Sequence, residues 1–495
     1  PALRRLRLPG AGGTVAKSPV RREAGEAASD APGGSVMTET PVADACRARL
    51  SLRLLAPEDV GRVYAAALGR LAASGIVPAG EAARAALLAA GATPVAESDG
   101  SAAGGGGSPG AVTLRAESVE AAAAQAPKRV VLGGRDEGGD VVLEPGAALL
   151  AAGGMPAPAV GPPGDEAPRQ PTGGDLAAAC RLADALPDVA VVCGPPLSPG
   201  PRQTAGPATV ALAVSSSAKH LLVTGQQSPS EAVVVAELAG ALRDRAPDVR
   251  QRPPLSLIGG AEAFAAAAVL ARAGLPAGAL VAAPAPVQAR QVADSTPARI
   301  TGAVVAFVAD VLAANAALQA VAPGAAYIAP VCPTLAGLPA AGAEATAFVV
   351  AATQVLTHAG FPVAAHVFAT SAAVPDWLAC TDGSFAALAA GAAGAALLTG
   401  AGTLGGGSVF SAPQLVADAE IHSWCAAVAA GIPVDDETIA ADVIKDVGIG
   451  GNYLGQKHTR RHLRDVWRPQ LLDRTMWDAW VAGGRRGAAE KAAEL

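Results

Sequence analysis

From Asp175 to about residue 400 the chain repeats one hydrophobic pattern. Alanine-rich stretches with helical spacing alternate with short, mostly apolar runs at 189–194 (VAVVCG), 219–225 (KHLLVTG), 254–260 (PLSLIGG), 278–284 (GALVAAP), 325–330 (AAYIAP), 362–368 (PVAAHVF) and 395–400 (AALLTG). A strand that is apolar on both faces belongs to a covered parallel sheet. Its alternation with helices over 175–186, 229–245, 261–273, 302–321, 343–358 and 383–391 specifies βαβ units. Seven such strands, with an eighth expected within 129–145, predict an α/β fold of the (βα)8 TIM barrel type. A doubly wound open sheet is the alternative, but its Gly-rich phosphate turn after the first strand is not evident.

The flanks follow other rules. Ser51 to Gly75 reads as a helix, with Leu52, Leu54, Leu55, Val60, Val63, Leu68 and Leu71 on one face and Pro57-Glu58-Asp59 suited to its start. A second helix is expected over 80–90, giving an N-terminal helical extension. Residues 97–110 and 152–173 are Gly/Pro-rich loops. Past the barrel, helices are expected from near Ala412, from Asp435 to Val447 and over 458–466, broken at Gly448 to Gly451. They predict a C-terminal helical cover, with Trp424, Trp467, Trp477 and Trp480 packed on the barrel wall. The expected divisions are 1–50, 51–174, 175–411 and 412–495. Residues 1–36 are basic, with no acid before Glu23, and Met37 opens a stretch that looks like a natural start. The segment reads as an extension without fixed structure, with an organelle transit peptide as the other reading.

Composition narrows the class. Of 495 residues, 51% are hydrophobic but only 3% aromatic, so the core must be built from small side chains at close range. The net charge of −6 argues against nucleic-acid binding, which needs a basic face. Cysteines 46, 180, 193, 332, 380 and 425 include no Cys-x-x-Cys pair and read as free thiols of a reducing, cytoplasmic setting. The uncharged stretches 311–330 and 383–407 are dotted with Gly and other breakers and read as buried helix or barrel strand, not as membrane spans.

In a βα barrel the chemistry sits where the strands end. Those ends offer Cys193, Thr224, Gln226, Gly259, Tyr327, His366, Phe368, Thr399 and Gly400, and the loops beyond add Cys332, Asp376, Trp377 and Asp382. His366 is the titratable candidate, since imidazole shuttles protons near neutral pH; a satisfied core histidine is the other reading. Asp376 and Asp382 flank Trp377 in a way that suits a cationic substrate, the ring adding cation–π attraction of ~0.5–2 kcal/mol. Either acid also suits a helix cap. Glu344 opens a helix, where its charge meets the helix dipole. Lys219-His220 opens a strand and is expected at the opposite, structural end. His458 and His462 are four apart, but HTRRH lacks the central Glu of a zinc helix, so a solvated basic face is expected and no metal.

One stretch carries a resemblance. GGNYLGQKHTRRHLRDVWRPQLLDRTMWDAWVAGG (450–484) closely resembles the end of the trimethylamine methyltransferase family, the corrinoid-dependent methylamine methyltransferases. SAPQLVADAEIH (411–422) and DDETIAADVIKDVG (435–448) resemble its preceding helices, and weaker likenesses run in order from residue 54. The resemblance implies a βα barrel that passes a methyl group from a small methylated amine to the cobalt of a corrinoid (cobalamin) carried by a separate partner protein. Founding members carry pyrrolysine in the mouth. This chain reads VCPTLAGLP over 331–339, which implies the non-pyrrolysine branch and a quaternary amine such as glycine betaine. The implied site takes His366, Asp376 and Glu344 as catalytic residues and Tyr327, Trp377, Phe368 and Asp382 as substrate-binding residues. Where the family commonly has Asp-x-Gln-Ala-Gly-x-Glu, this chain has Asp376-Trp-Leu378-Ala-Cys380-Thr-Asp382, and Asp310 stands where the family usually has Glu. A barrel that kept the fold as a binding or regulatory protein is therefore the alternative, and a lyase using His366 as base a third. A homo-oligomer is left open.

Overall fold

The structure, a computed structural model, describes residues 50–95, 110–135, 139–154, 159–161, 167–193, 206–224, 228–242, 252–282 and 296–494. The expectations for 1–36, for 97–109 and for Gln226 lie outside them.

The apolar runs form eight parallel strands: β1 (Leu149–Ala152), β2 (Val189–Val192), β3 (His220–Thr224), β4 (Leu255–Gly259), β5 (Ala277–Ala279), β6 (Ala329–Val331), β7 (Val363–His366) and β8 (Leu397–Ala401). They are hydrogen-bonded in the order β5-β4-β3-β2-β1-β8-β7-β6. A parallel bridge between Ala277 and Tyr327 joins the two ends. Ala277 N–H donates to Ala326 O at 3.0 Å and Ile328 N–H to Ala277 O at 3.2 Å, so the sheet closes into the expected barrel. Closure here depends on Gly278, where a Cβ would stand 1.8 Å from the Ile328 carbonyl oxygen.

The eighth strand is not where the sequence placed it. Within residues 129–145, Val130–Leu132 instead pairs antiparallel with Val141–Leu143 as a hairpin. Val130, Leu132 and Leu143 are buried with Ala151, Val191, Leu222, Ile258, Ile328, Ala364 and Leu397 of the barrel interior. Gly133 N–H donates to Pro253 O and Arg135 N–H to Ala218 O, the residues just before β4 and β3. The hairpin thus plugs the N-terminal end of the barrel. Both segments are apolar and strand-like; only their partners distinguish a barrel stave from a plug.

Helices α1 (Pro57–Ala73), α2 (Glu81–Ala89) and α3 (Ala116–Gln125) form the N-terminal extension. Around the barrel run α4 (Gly173–Ala185), α5 (Pro207–Ser216), α6 (Pro229–Ala241), α7 (Phe264–Arg272), α8 (Thr296–Val321), α9 (Ala343–His358), α10 (Trp377–Ala392) and α11 (Ala412–Ala429). Helix α8 is apolar all round because α1, α2 and α3 cover its outer side. It is long and apolar enough to cross a membrane, yet most of it is buried within the protein. Beyond α11 the expected cover is helical, but only its ends pack. Val416, Leu471 and Ala492 share a small buried cluster, whereas no residue from 431 to 466 is buried.

Candidate functional site

At the C-terminal ends of the strands a cavity of about 20 Å³ is lined by Gly154, Thr224, Ile258, Gly259, Pro330, Val331, Cys332, Leu335, Ala364, His366 and Thr399. Strand alternation aims Thr224, Ala364, His366 and Thr399 inward, on the same face as Leu222 and Leu397 of the barrel interior. Thr224 donates its hydroxyl to Gly154 O at 2.7 Å, and the Cys193 thiol donates to the same oxygen at 3.4 Å. Gly154 has to be glycine, since a Cβ there would meet His366 Cε1 at 2.4 Å. His366 ends β7, is 6% exposed, and shares a hydrogen bond of 3.0 Å between Nδ1 and Thr399 Oγ1. Burial lowers its pKa to about 4, so the ring is neutral at physiological pH. Burial likewise pushes the Cys193 thiol up to about 12 and raises that of Cys332, leaving both protonated. Among the described residues the lining therefore carries no formal charge.

Five of the strand-end and loop candidates meet here: Thr224, Gly259, Cys332, His366 and Thr399. The other implied site residues lie elsewhere. Tyr327 is buried in the layer between barrel and helices, edge-on to Phe361 at 5.7 Å, with its hydroxyl donating to Ala279 O at 3.0 Å. Phe368 is buried against α10, where a Cβ on Gly383 would meet its ring at 3.1 Å. Asp376 caps α10, accepting from Leu378 N–H at 2.9 Å and Ala379 N–H at 3.1 Å. Trp377 is 75% exposed on the first turn of that helix. Asp382 accepts from the Thr370 hydroxyl at 2.8 Å and so holds the loop after β7. Glu344 is exposed on the first turn of α9. Gly154 was missed because β1 was sought upstream; its signal is the apolar run Leu149-Leu150-Ala151-Ala152 ending in Gly153-Gly154.

The opposite end is structural, as expected of Lys219-His220. Lys219 Nζ donates to Ala183 O and Leu186 O, closing the end of α4, and burial lowers its pKa to about 8. His220 donates from Nδ1 to Pro253 O at 3.0 Å and accepts at Nε2 from Ser256 Oγ at 2.8 Å. Glu437, His458 and His462 come together on the surface, with Arg461 also on Glu437 at 2.8 Å.

Acids in the 411–422 stretch have clear tasks. Asp418 accepts from Gly402 N–H at 2.8 Å and from Gln414 Nε2 at 2.7 Å, fixing the turn after β8. Burial raises its pKa to about 8 against the pull of those donors. Glu420 accepts the backbone N–H groups of Gln470, Leu471 and Leu472 at 2.7–2.9 Å, binding the C-terminal segment to α11. Asp310 accepts from Val281 N–H and Ala282 N–H, just past β5, and burial raises its pKa to about 6.

A family model described as trimethylamine methyltransferase matches residues 21–495. The chain belongs to this family. Trimethylamine methyltransferase MttB of Methanosarcina barkeri is 41% identical over 125 residues, 25% of each chain. Its counterpart from Desulfitobacterium hafniense (strain DSM 10664 / DCB-2) is 36% identical over 121 residues, 24% of each chain. A glycine betaine methyltransferase of Desulfitobacterium hafniense (strain Y51) is 39% identical over 69 residues, 14% of each chain. The chain thus spans about a quarter or less of the length of these curated relatives.

Proposed function

We propose that this chain is a methyltransferase that moves a methyl group from a small methylated amine, of the quaternary kind, to the cobalt of a corrinoid carried by a partner protein in the cytoplasm. Family membership supports the reaction class. The observation that carries the substrate class is the lining of the rim cavity, which among the described residues holds a neutral histidine, hydroxyls and a protonated thiol and no carboxylate. A quaternary nitrogen needs no acid to leave. The C–N bond breaks, nitrogen keeps the electron pair and departs as a neutral tertiary amine, and the acceptor supplies the pair for the new bond to the methyl carbon. The corrinoid supplies that reduced nucleophile when its carrier docks.

This chain's residues hold and align. His366 is fixed by Thr399, and Thr224 by Gly154, so the polar groups at the rim are pre-oriented. Excluding water and fixing the methyl carbon in line is a positioning effect, for which effective molarities reach ~10⁵–10⁸ M in favourable cases. The described rim side chains at Gly154, Thr224, Gly259 and Thr399 are short, which suits the approach of a broad planar acceptor.

The test mixes purified protein, a reduced corrinoid protein and candidate quaternary amines, and follows the methyl-cobalt absorbance. Methylation by one of them is expected; none by any quaternary or tertiary methylamine overturns the reading. The small cavity favours one other reading, a barrel that binds without turnover. It requires thermal stabilisation by the same amines with no methyl-cobalt signal.

A further inference from the structure

We propose that Glu437, His458 and His462 form a site for a divalent transition-metal ion of the zinc type, which fastens residues 431–466 into one folded unit. The sequence alone offers only HTRRH, two histidines about one helical turn apart with no third ligand beside them. The fold supplies that ligand from 21 residues before His458. Glu437 stands in the short helix Asp436–Ile439, and the two histidine rings, with centroids 4.6 Å apart, stand on Lys457–His462. One donor atom from each of the three lies within 4.8 Å of the other two. His462 Nε2 and Glu437 Oε1 are 3.3 Å apart. Neighbouring ligands on a tetrahedral zinc, with bonds of about 2.0–2.1 Å, stand roughly 3.4 Å apart, and a water takes the fourth position.

The groups behind the ligands fit as well. His462 Nδ1 donates to Asp465 Oδ2 at 2.6 Å, so Nε2 is the nitrogen left facing Glu437. A carboxylate behind the ring orients a metal-bound histidine and strengthens it as a donor. His458 Nε2 donates to Glu437 O at 2.7 Å, which ties the two helices together and leaves Nδ1 with its lone pair. Arg461 also reaches Glu437 Oε1, at 2.8 Å. A carboxylate has two oxygens, so the guanidinium and a metal ion share it and compete for its charge. Two imidazoles beside one carboxylate select zinc over magnesium or calcium, which take oxygen ligands. The surrounding chain lacks any other fastening of its own. No residue from 431 to 466 is buried, and the helices Asp436–Ile439, Ala441–Val447 and Lys457–His462 are too short to hold themselves in water. In a segment without a core, metal-binding free energy becomes folding free energy. None of the three ligands lines the rim cavity, so the test needs no turnover.

The test uses the full chain without an affinity tag, stripped with a chelator and titrated with zinc against a coloured competing chelator. Hydrogen exchange follows residues 431–466 in the same samples. One tightly bound equivalent per chain is expected, not displaced by excess magnesium, with slower exchange across the segment. His462→Ala is expected to lose that equivalent, and Asp465→Asn to bind about 10–100-fold more weakly. Arg461→Ala, which frees Glu437, is expected to bind more tightly. If His462→Ala fails to fold by circular dichroism, the other two variants, at exposed positions, decide alone. The proposal is overturned by the absence of a stoichiometric zinc, as for a proton shared between His462 and Glu437. It is equally overturned by zinc that all the folded variants hold as the wild type does, as for binding at cysteines, or by zinc that leaves exchange in 431–466 unchanged.

Discussion

His366 illustrates how burial selects a chemistry. A ring whose pKa lies at about 4 is a neutral hydrogen-bonding group through the physiological range and neither an acid nor a strong base there. The proposed methyl transfer should therefore show no rate limb from this residue between pH 5 and 8, as a pH–rate profile with methyl-cobalt detection would reveal. His366→Ala should lower kcat/KM by about two- to tenfold, since one hydrogen-bonding group is worth about 0.5–1.5 kcal/mol. Unchanged kinetics would remove His366 from the site. Asp376 makes the opposite case: its carboxylate serves two amide donors of α10. Asp376→Ala should cost about 1 kcal/mol in denaturant unfolding, with Asp376→Asn close to wild type. A turnover loss far exceeding the stability loss would return Asp376 to the catalytic list.

At the scale of elements, the barrel depends on close backbone approach between β5 and β6. Gly278→Ala puts a methyl group onto the Ile328 carbonyl, so the variant should unfold at markedly lower denaturant or not accumulate as soluble protein. Leu132→Ala in the hairpin, where the side chain is fully buried, should cost about 2–5 kcal/mol. A loss below about 1 kcal/mol would mean that the plug is not part of the core. These elements also show what the sequence could reveal. Seven of the eight staves were legible because a short apolar run after an alanine-rich helix has few other meanings. Leu149–Ala152 was not, because the stronger strand signal of Val130–Leu132 lies next to it and pairing partners leave no mark on local pattern. The site was half legible. Strand ends pointed to His366, Thr399, Thr224 and Gly259 of the cavity lining and the loops beyond to Cys332, but which way Tyr327 turns depends on strand register. The loop reading, and then the resemblance, drew Asp376, Trp377 and Asp382 towards the site, where the structure puts them on the cap, the surface and a loop clamp, the cap being the other reading the sequence offered for either acid.

Across the whole molecule, a core of small side chains encloses several ionisable groups whose burial couples stability to pH in two directions. His220 and His366, each lowered to about 4, and His422, also lowered, take up protons more readily unfolded than folded. Their contribution is complete above about pH 6.5, the ordinary histidine value, and is lost as the pH falls towards 4. Asp310 and Asp418 are raised to about 6 and about 8, so the folded chain holds their protons longer than the unfolded chain does. Their contribution is complete below about pH 4, the ordinary carboxyl value, and is lost as the pH rises through 6 and then 8. Opposed slopes place the stability maximum near pH 6, with acid and alkaline limbs that have different owners. Denaturant unfolding at pH 4.5, 6 and 9 separates them. Asp418→Asn keeps an acceptor for the Gly402 N–H but has no proton to lose, so it should flatten the alkaline limb and leave the acid limb as it was. An alkaline limb as steep as in the wild type would show that Asp418 is already a carboxylate at pH 6, held by Gly402 and Gln414 rather than opposed by its burial.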